Sequence, residues 1–414
     1  MAIFQGVDKK LIYKKQTGLG VSGSNTPQLL RRTTSTLNLA KETYQSNEIR
    51  TDQQVSDMRH GARQVNGTVS GELSCKTYGD FFASVLRGDW AAVALTSATG
   101  LSLTVAAGTV SGTHTITGTG FYAKGFRLGQ VAHITTASPT TNNNIRFVIV
   151  GATDTVLTVK PISSVSLSNG AFTTATVAII GKSVSVPETG HKNDYYTIEH
   201  VFSSATPTTK SELFTDVKPT NAQVKVPSNG MATVDFPMIG LNMTRGDSQV
   251  LTSPTTNTTT GIESGVNGVI SANGVPLAIV TSIDFDINGN NAAADGVVGS
   301  VFRPDVFNGS ITASGTITAH FDDAANGALA LRDAFIDETP ITITVVLSEA
   351  NSTTGANDFI AFTLPRVKLS GADVDDTQTG LKRTFPFTAL KNETALSTTS
   401  MLDRTTVIIQ DSQL

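Results

Sequence analysis

Residues 310–321 alternate strictly along the chain. Ile311, Ala313, Gly315, Ile317, Ala319 and Phe321 share one side, and Ser310, Thr312, Ser314, Thr316, Thr318 and His320 share the other. A period of two predicts a strand with one face on a core and one in water. Residues 68–75 show the same arrangement, with Val69, Gly71, Leu73 and Cys75 opposed to Thr68, Ser70, Glu72 and Ser74. Each segment opens on a related turn, Asn66-Gly67-Thr68 in one case and Asn308-Gly309-Ser310 in the other.

Outward from these strands the two regions keep matching. A further strand is expected before each, over 35–49 and 277–288, with a long polar loop between the pair, 50–65 and 289–307. A short helix is expected after each: 79–86, carrying Phe81, Phe82, Val85 and Leu86, and 325–336, carrying Leu329, Leu331, Phe335 and Ile336. Strand, long loop, strand, helix is written twice. We read this as an internal duplication; the competing reading is that Thr/Gly-rich hairpins resemble one another by composition alone.

Between the halves the character changes. Over 93–183 the charged residues before Lys182 are Lys124, Arg127, Arg146, Asp154 and Lys160. Short strands are expected at 101–105, 114–119, 145–150 and 156–159, with Gly125 and Gly129 in a tight turn leading to Val131. That spacing suggests a small barrel or sandwich inserted into the first half. Strands are expected again at 195–202, 222–226, 231–236, 341–347 and 358–364, with a Thr/Asn loop at 252–260. From 370 onward the chain is polar, anchored by Phe385-Pro386-Phe387 and Val407-Ile408-Ile409. The organisation expected is a first half with an N-terminal arm (1–92), an inserted small β-domain (93–185) and a second half with a C-terminal extension (186–414).

Composition narrows the function. Lys and Arg number 30 against 34 Asp and Glu, so 30 − 34 = −4 over 414 residues. Such a chain has no basic block with which to hold nucleic acid by charge neutralisation. About a quarter of it is Ser or Thr, which favours strands and turns. No apolar run approaches the roughly 18 residues of a membrane span, so no membrane anchor is expected. The start lacks the order of basic head, apolar run and cleavage site of a signal peptide. Cys75, the single cysteine, excludes an intrachain disulfide and a Cys-rich zinc site.

Catalytic patterns find little support. His60, His114, His133, His191, His200 and His320 are scattered, with no pair at metal-ligand spacing. Gly18-Leu19-Gly20-Val21-Ser22-Gly23 formally matches a dinucleotide fingerprint, but that fingerprint needs a strand before it and a helix after it. Here lysines precede it and Pro27 follows, so a flexible glycine arm is expected. Asp284 with Asp286, and Asp373 with Asp375, lie two apart, side by side on a strand face and not flanking a bond as glycosidase carboxylates do. No cofactor, metal or enzymatic activity is expected.

Several stretches together resemble the tail tube (major tail) proteins of long, non-contractile-tailed bacteriophages. They are Ser46-Asn47-Glu48-Ile49-Arg50-Thr51-Asp52-Gln53-Gln54-Val55, Asn66-Gly67-Thr68-Val69-Ser70-Gly71-Glu72-Leu73, Ser282-Ile283-Asp284-Phe285-Asp286-Ile287-Asn288-Gly289-Asn290, Asn308-Gly309-Ser310-Ile311-Thr312-Ala313-Ser314-Gly315 and Phe362-Thr363-Leu364-Pro365-Arg366-Val367-Lys368. Residues 125–159 are similar to the small β-module often inserted in these proteins. The resemblance implies a mainly β fold, a β-sandwich or barrel with two duplicated hairpins and short flanking helices. It also implies hexameric rings stacked into a tube, each subunit giving two hairpins to a closed barrel of about twenty-four strands. Tape measure, tail terminator and distal tail proteins are the implied partners, and the virion tail, built in the host bacterial cytoplasm, the implied location.

On that reading Glu42, Glu48, Glu72, Ser282, Asp284, Asp286, Thr312 and Ser314 line the lumen. A neutral-to-acidic wall lets DNA slide, because each basic contact to phosphate acts as a brake. Arg50, Asp52, Asp57, Arg59 and Arg63, in the loop 50–65, are expected to contact a neighbouring subunit or ring, joined by the arm through about residue 32. The inserted module is expected on the outer surface. The rival readings are a tail-end ring (distal tail) protein, another β-rich virion adhesin or fibre, an S-layer protein and a carbohydrate-active enzyme.

Overall fold

The alternation seen at 310–321 recurs through most of the chain, and the computed structural model turns it into a mainly β protein. The structure describes residues 4–91, 97–203, 209–256, 258–322, 327–349, 354–375, 380–393 and 403–414. The expected start of the insertion, 93–96, and the first residues of the second expected helix, 325 and 326, lie outside these.

Two sets of eight strands make the body. The first comprises β1 (Lys10–Lys15), β2 (Asn38–Gln45), β3 (Met58–Glu72), β4 (Tyr196–Ser203), β5 (Thr209–Pro219), β6 (Asn221–Pro227), β7 (Thr233–Gly240) and β8 (Asn242–Gly246). The second comprises β9 (Val269–Ala272), β10 (Val280–Asn288), β11 (Thr312–His320), β12 (Ile341–Ser348), β13 (Phe359–Leu369), β14 (Asp373–Asp375), β15 (Lys382–Ala389) and β16 (Ile408–Asp411). Helix α1 (Gly79–Leu86) follows β3, and α2 (Ala328–Ile336) follows β11.

In the first set β1 pairs with β4, β4 with β5, β5 with β7 and β8, β7 with β6 and β3, and β3 with β2, all antiparallel. Adding eight to every number gives the pairings of the second set. Registers correspond as well: Lys218 and Pro219 face Ile239 and Met238, while Lys368 and Leu369 face Thr388 and Phe387. In that correspondence Pro237 falls on Pro386, Phe236 on Phe385 and Gly67 on Gly315. The duplication therefore runs through both halves, well beyond the hairpins that first suggested it.

The two sets join edge to edge. β6 pairs with β10 from Asn221 opposite Asn288 to Pro227 opposite Ser282. One layer thus continues through β2-β3-β7-β6-β10-β11-β15-β14. Its inner side packs with α1 and with residues of β4, β5, β12 and β13 in one core that includes Phe81, Phe82, Phe214, Phe236, Phe285, Phe362 and Phe385. Phe362 ties the halves together, with its ring centroid 5.8 Å from Phe82 and 5.1 Å from Phe285.

The charge-poor insertion forms a closed six-stranded barrel from Ser97–Ala107, His114–Thr117, Val131–Thr135, Arg146–Ala152, Val156–Pro161 and Gly170–Ile179. Closing the sheet removes free edges, and Leu103, Ile116, Phe147, Leu157 and Phe172 fill the interior. Although inserted into the first half, it docks on the second. Val131, Val148, Val150 and Ile162 pack against Val346, Phe359 and Ala361, while Ile360 and Phe362, on alternate positions of β13, enter the main core. That strand is apolar on both faces because it is covered on both. Gln410 closes the junction, accepting from the Val131 amide (2.9 Å) and donating to the Val131 and Ile180 carbonyls (2.9 and 2.7 Å). Two of the insertion's few charges serve the docking: Arg146 pairs with Asp358 (3.2 Å) and Arg127 approaches Asp403 (3.7 Å).

Three local expectations change. Residues 58–65, read as loop, are strand: Met58, Arg59 and His60 are exposed, residues 61–64 are half-buried, and no apolar alternation marks the hairpin before the buried Val65. The N-terminal segment, read as an arm, contributes β1, whose Leu11, Ile12 and Tyr13 are buried and hidden in sequence between lysines. Ser74, placed on the wet side, is buried and shares a hydrogen bond with Thr77 (2.6 Å), since the strand has ended at Glu72 and the chain turns inward toward α1.

Candidate functional site

The side of the eight-strand layer away from the core is polar, and its rows can be read from the registers. Ser70, Asp235, Gln223, Asp286, Ser314 and Thr388 face one another in sequence across β3, β7, β6, β10, β11 and β15. The next row is Glu72, Thr233, Lys225, Asp284, Thr316 and Pro386. Between them, pointing the other way, run Gly71, Val234, Val224, Phe285, Gly315 and Phe387. Antiparallel pairing keeps directly opposite side chains on one face, so six alternating strands build one continuous hydroxyl, amide and carboxylate surface.

The carboxylates differ in setting. Burial raises the pKa of Asp286, an effect opposed by Asn221 Nδ2, which donates to both of its oxygens (3.3 and 3.2 Å). Burial also raises Asp284, opposed by the charge of Lys225. Lys225 lies 3.8 Å from Asp235 and opposite Asp284, so one cation sits between two acids. Along these rows Glu72, Asp235, Asp284 and Asp286 stand against Lys225 and Lys382; Arg59 and Arg63 of β3 lie farther along its hairpin, and Arg383 of β15 alternates onto the other side with Phe385. Asp235 was missed in the sequence reading, although it alternates with Val234 and Phe236.

Of the residues singled out from sequence, Glu72, Ser282, Asp284, Asp286, Thr312 and Ser314 come together on this face. Glu42 and Glu48 do not: Glu42 is far along the β2–β3 hairpin, ion-paired with Arg303, and Glu48 is in the exposed loop beyond β2, accepting from Ser56 (3.2 Å). The mixed charges of that loop largely satisfy one another. Arg50 binds Asp52 (2.9 Å) and Arg59 binds Asp57 (2.7 Å), all exposed. Arg63 instead reaches the second half, its amide donating to Val301 (3.0 Å) and its guanidinium lying 3.8 Å from the Phe302 ring centre.

The β6–β10 seam carries its own buried polar contacts. Lys218, lowered by burial to a pKa of about 8, donates to the Val306 carbonyl (3.0 Å) and Asn308 Oδ1 (3.2 Å) across it. Arg87, in left-handed conformation at the end of α1, donates to the carbonyls of Gly289 and Gly309 (the latter 2.6 Å) and to Asn291 (3.1 Å). Among the described residues no group of three His, Cys, Asp or Glu is placed to hold a metal ion.

A family model described as phage tail tube protein matches residues 6–226 and 193–389, across both halves and the insertion. The chain belongs to the phage tail tube protein family. No curated protein matches the sequence significantly. The tail tube family makes this chain a structural component of the virion tail, of a kind that assembles with itself into a tube, and the closed barrel and duplicated hairpins are the β-rich architecture the resemblance implied.

Proposed function

We propose that this tail tube protein forms rings whose polar sheet faces close into the wall of a channel, and that the rings stack into the tube of a long, non-contractile tail through which the genome passes. The observation that carries the reading is the uninterrupted row from Ser70 to Thr388 across six strands. A sheet with one wet, uncapped face and free edges is what a barrel built from several chains requires. DNA carries about one negative charge per 1.7 Å of helix, and a hydroxyl-rich, mildly acidic wall offers it no grip. Repulsion acts over the roughly 8–10 Å of screening in salt, so the duplex slides without binding.

The inserted barrel faces outward in this reading, since the sandwich separates it from the polar face. The loop carrying Arg50, Asp52, Asp57 and Arg59 is exposed and available to an adjacent ring. Tape measure, terminator and distal tail proteins meet the tube at its core and ends. Negative-stain microscopy of the purified protein tests the assembly. Hollow tubes with a regular axial repeat are expected; single rings that never stack would favour a tail-end ring protein.

A further inference from the structure

We infer that the seam joining the two halves inside one chain is repeated between chains, so that each chain fills two positions of the ring and three chains, not six, close it. The inference rests on the ring reading above and adds which edges meet, in what register, and how many copies are needed.

The layer β2-β3-β7-β6-β10-β11-β15-β14 ends on two unpaired edges. Among the described residues β14 pairs with β15 alone, and residues 36–38 of the strand leading into β2 pair with β3 alone. The Ser35 carbonyl already accepts from Lys9 Nζ (3.2 Å), so the free edge begins at Thr36. In the repeat, β14 is the counterpart of β6 and the 36–38 edge is the counterpart of β10. Within the chain these counterparts are paired; at the two ends they are open. A surface that binds a different surface on an identical unit builds a closed ring when the rotation between units closes. The β6–β10 seam is one such contact, already made.

Side chains at matching positions carry the same message. Val224, in β6, is fully buried (0%) at the seam, while its counterpart Val374 in β14 is 50% exposed. Lys218 is 2% exposed, with its ammonium held by groups across the seam. Its counterpart Lys368 has a side chain 42% exposed, and its ammonium lies 3.6 Å from the exposed Glu338. An apolar side chain and a lysine are thus buried at one seam and bare at the corresponding edge.

The register follows. Val224 faces Phe285, and Phe285 faces Gly315. Gly67 is the counterpart of Gly315, and Leu37 lies against it, its Cα 2.6 Å from where a Cβ of residue 67 would be. Val374 of one chain therefore faces Leu37 of the next, and Asp373 faces Asn38, as Gln223 faces Asp286. Each chain supplies eight strands to the layer, and three chains give the roughly twenty-four strands that the resemblance to tail tube proteins implies for the closed barrel.

The test joins the new edge covalently. Directly opposed positions of antiparallel strands lie within disulfide reach, both Asn38 and Asp373 are exposed, and the native Cys75 is buried. The double variant Asn38→Cys/Asp373→Cys, assembled and mildly oxidised, should give a reductant-sensitive ladder on a denaturing gel that stops at three chains, and neither single variant should give one. A ladder reaching six chains, or none from tubes that form normally, overturns the inference and leaves the tube reading standing. Axial views of wild-type tubes decide independently of any variant: three-fold symmetry with six similar lobes is expected, and strict six-fold symmetry contradicts it. A wild-type chain that forms neither ring nor tube overturns both readings.

Discussion

Gly315 stands directly opposite Phe285 in the β10–β11 ladder, and a Cβ at position 315 would lie 2.6 Å from Cζ of Phe387 and closer still to the Asp284 carbonyl oxygen. Glycine inside a strand marks such a close approach. Gly315→Ala should destabilise the protein by about 1–3 kcal/mol through overpacking, seen as a lower Tm. Gly67→Ala, its counterpart against Leu37, should behave alike; wild-type Tm in both variants would show that these positions are not tightly packed.

Arg87 joins α1 of the first half to the second half. Its left-handed backbone carries a steric cost that glycine would avoid, and its guanidinium is held by Gly289, Gly309 and Asn291. Arg87→Met should cost about 1–3 kcal/mol by leaving those buried acceptors unpaired. Hydrogen exchange should rise at the Gly289 and Gly309 ends of the hairpin loop before the β-barrel insertion is affected. Uniform change throughout the chain would argue against a role at the seam.

Stability should fall between pH 6.5 and 7.5. Glu263 is buried, with Oε1 accepting from Cys75 Sγ (3.3 Å); burial, reinforced by Glu349, Asp411 and Asp358, raises its pKa from 4.5 to about 8. Above pH 4.5 the unfolded chain releases this proton while the folded chain keeps it, so stability is lost as pH rises to about 8, by about 1.4 kcal/mol per pH unit at most. Asp411, raised by burial to about 6, acts in the same direction at lower pH. His200, lowered by burial to about 3, acts oppositely between 3 and 6.5. Lys218, lowered by burial to about 8, also acts oppositely as the pH nears 8, so Glu263 dominates between 6.5 and 7.5, and Glu263→Gln should flatten Tm there. An unchanged slope would refute the assignment.

The polar face should tolerate charge reversal in folding and fail in transport. Asp284→Lys/Asp286→Lys leaves the core side of β10 untouched, since Ile283, Phe285 and Ile287 face inward. Tubes should form with a stability loss of about 1–2 kcal/mol, from the like charge opposite Lys225 and the lost Asn221 bonds, while phage carrying the variant should release DNA more slowly, with the defect shrinking as salt rises. Release at the normal rate would remove the electrostatic argument.

What could be read from sequence tracks what was half-buried. The strands at 310–321 and 68–75, helix α1 and the barrel all carry one apolar and one polar side, or a closed apolar interior, and their periodicity was visible. Residues 58–65 were not, because Met58, Arg59 and His60 are exposed and Arg63 packs on Phe302 of the other half, leaving no apolar period before Val65. β1 was concealed by its flanking lysines. The full repeat was hidden by divergence: β6 has seven residues where β14 has three, and only the shared pairings reveal them as counterparts. Asp235 was legible and overlooked. The settings of Asp286 and Asp284 depended on Asn221 and Lys225, which lie far from them in sequence and adjacent in space.

The most direct test of the account is a side-chain-resolution reconstruction of tubes assembled from the purified chain. The row Ser70, Asp235, Gln223, Asp286, Ser314 and Thr388 should face the bore, with the six-stranded barrel outermost. A tube whose bore is lined by any other surface, or by a strongly positive one, would contradict it.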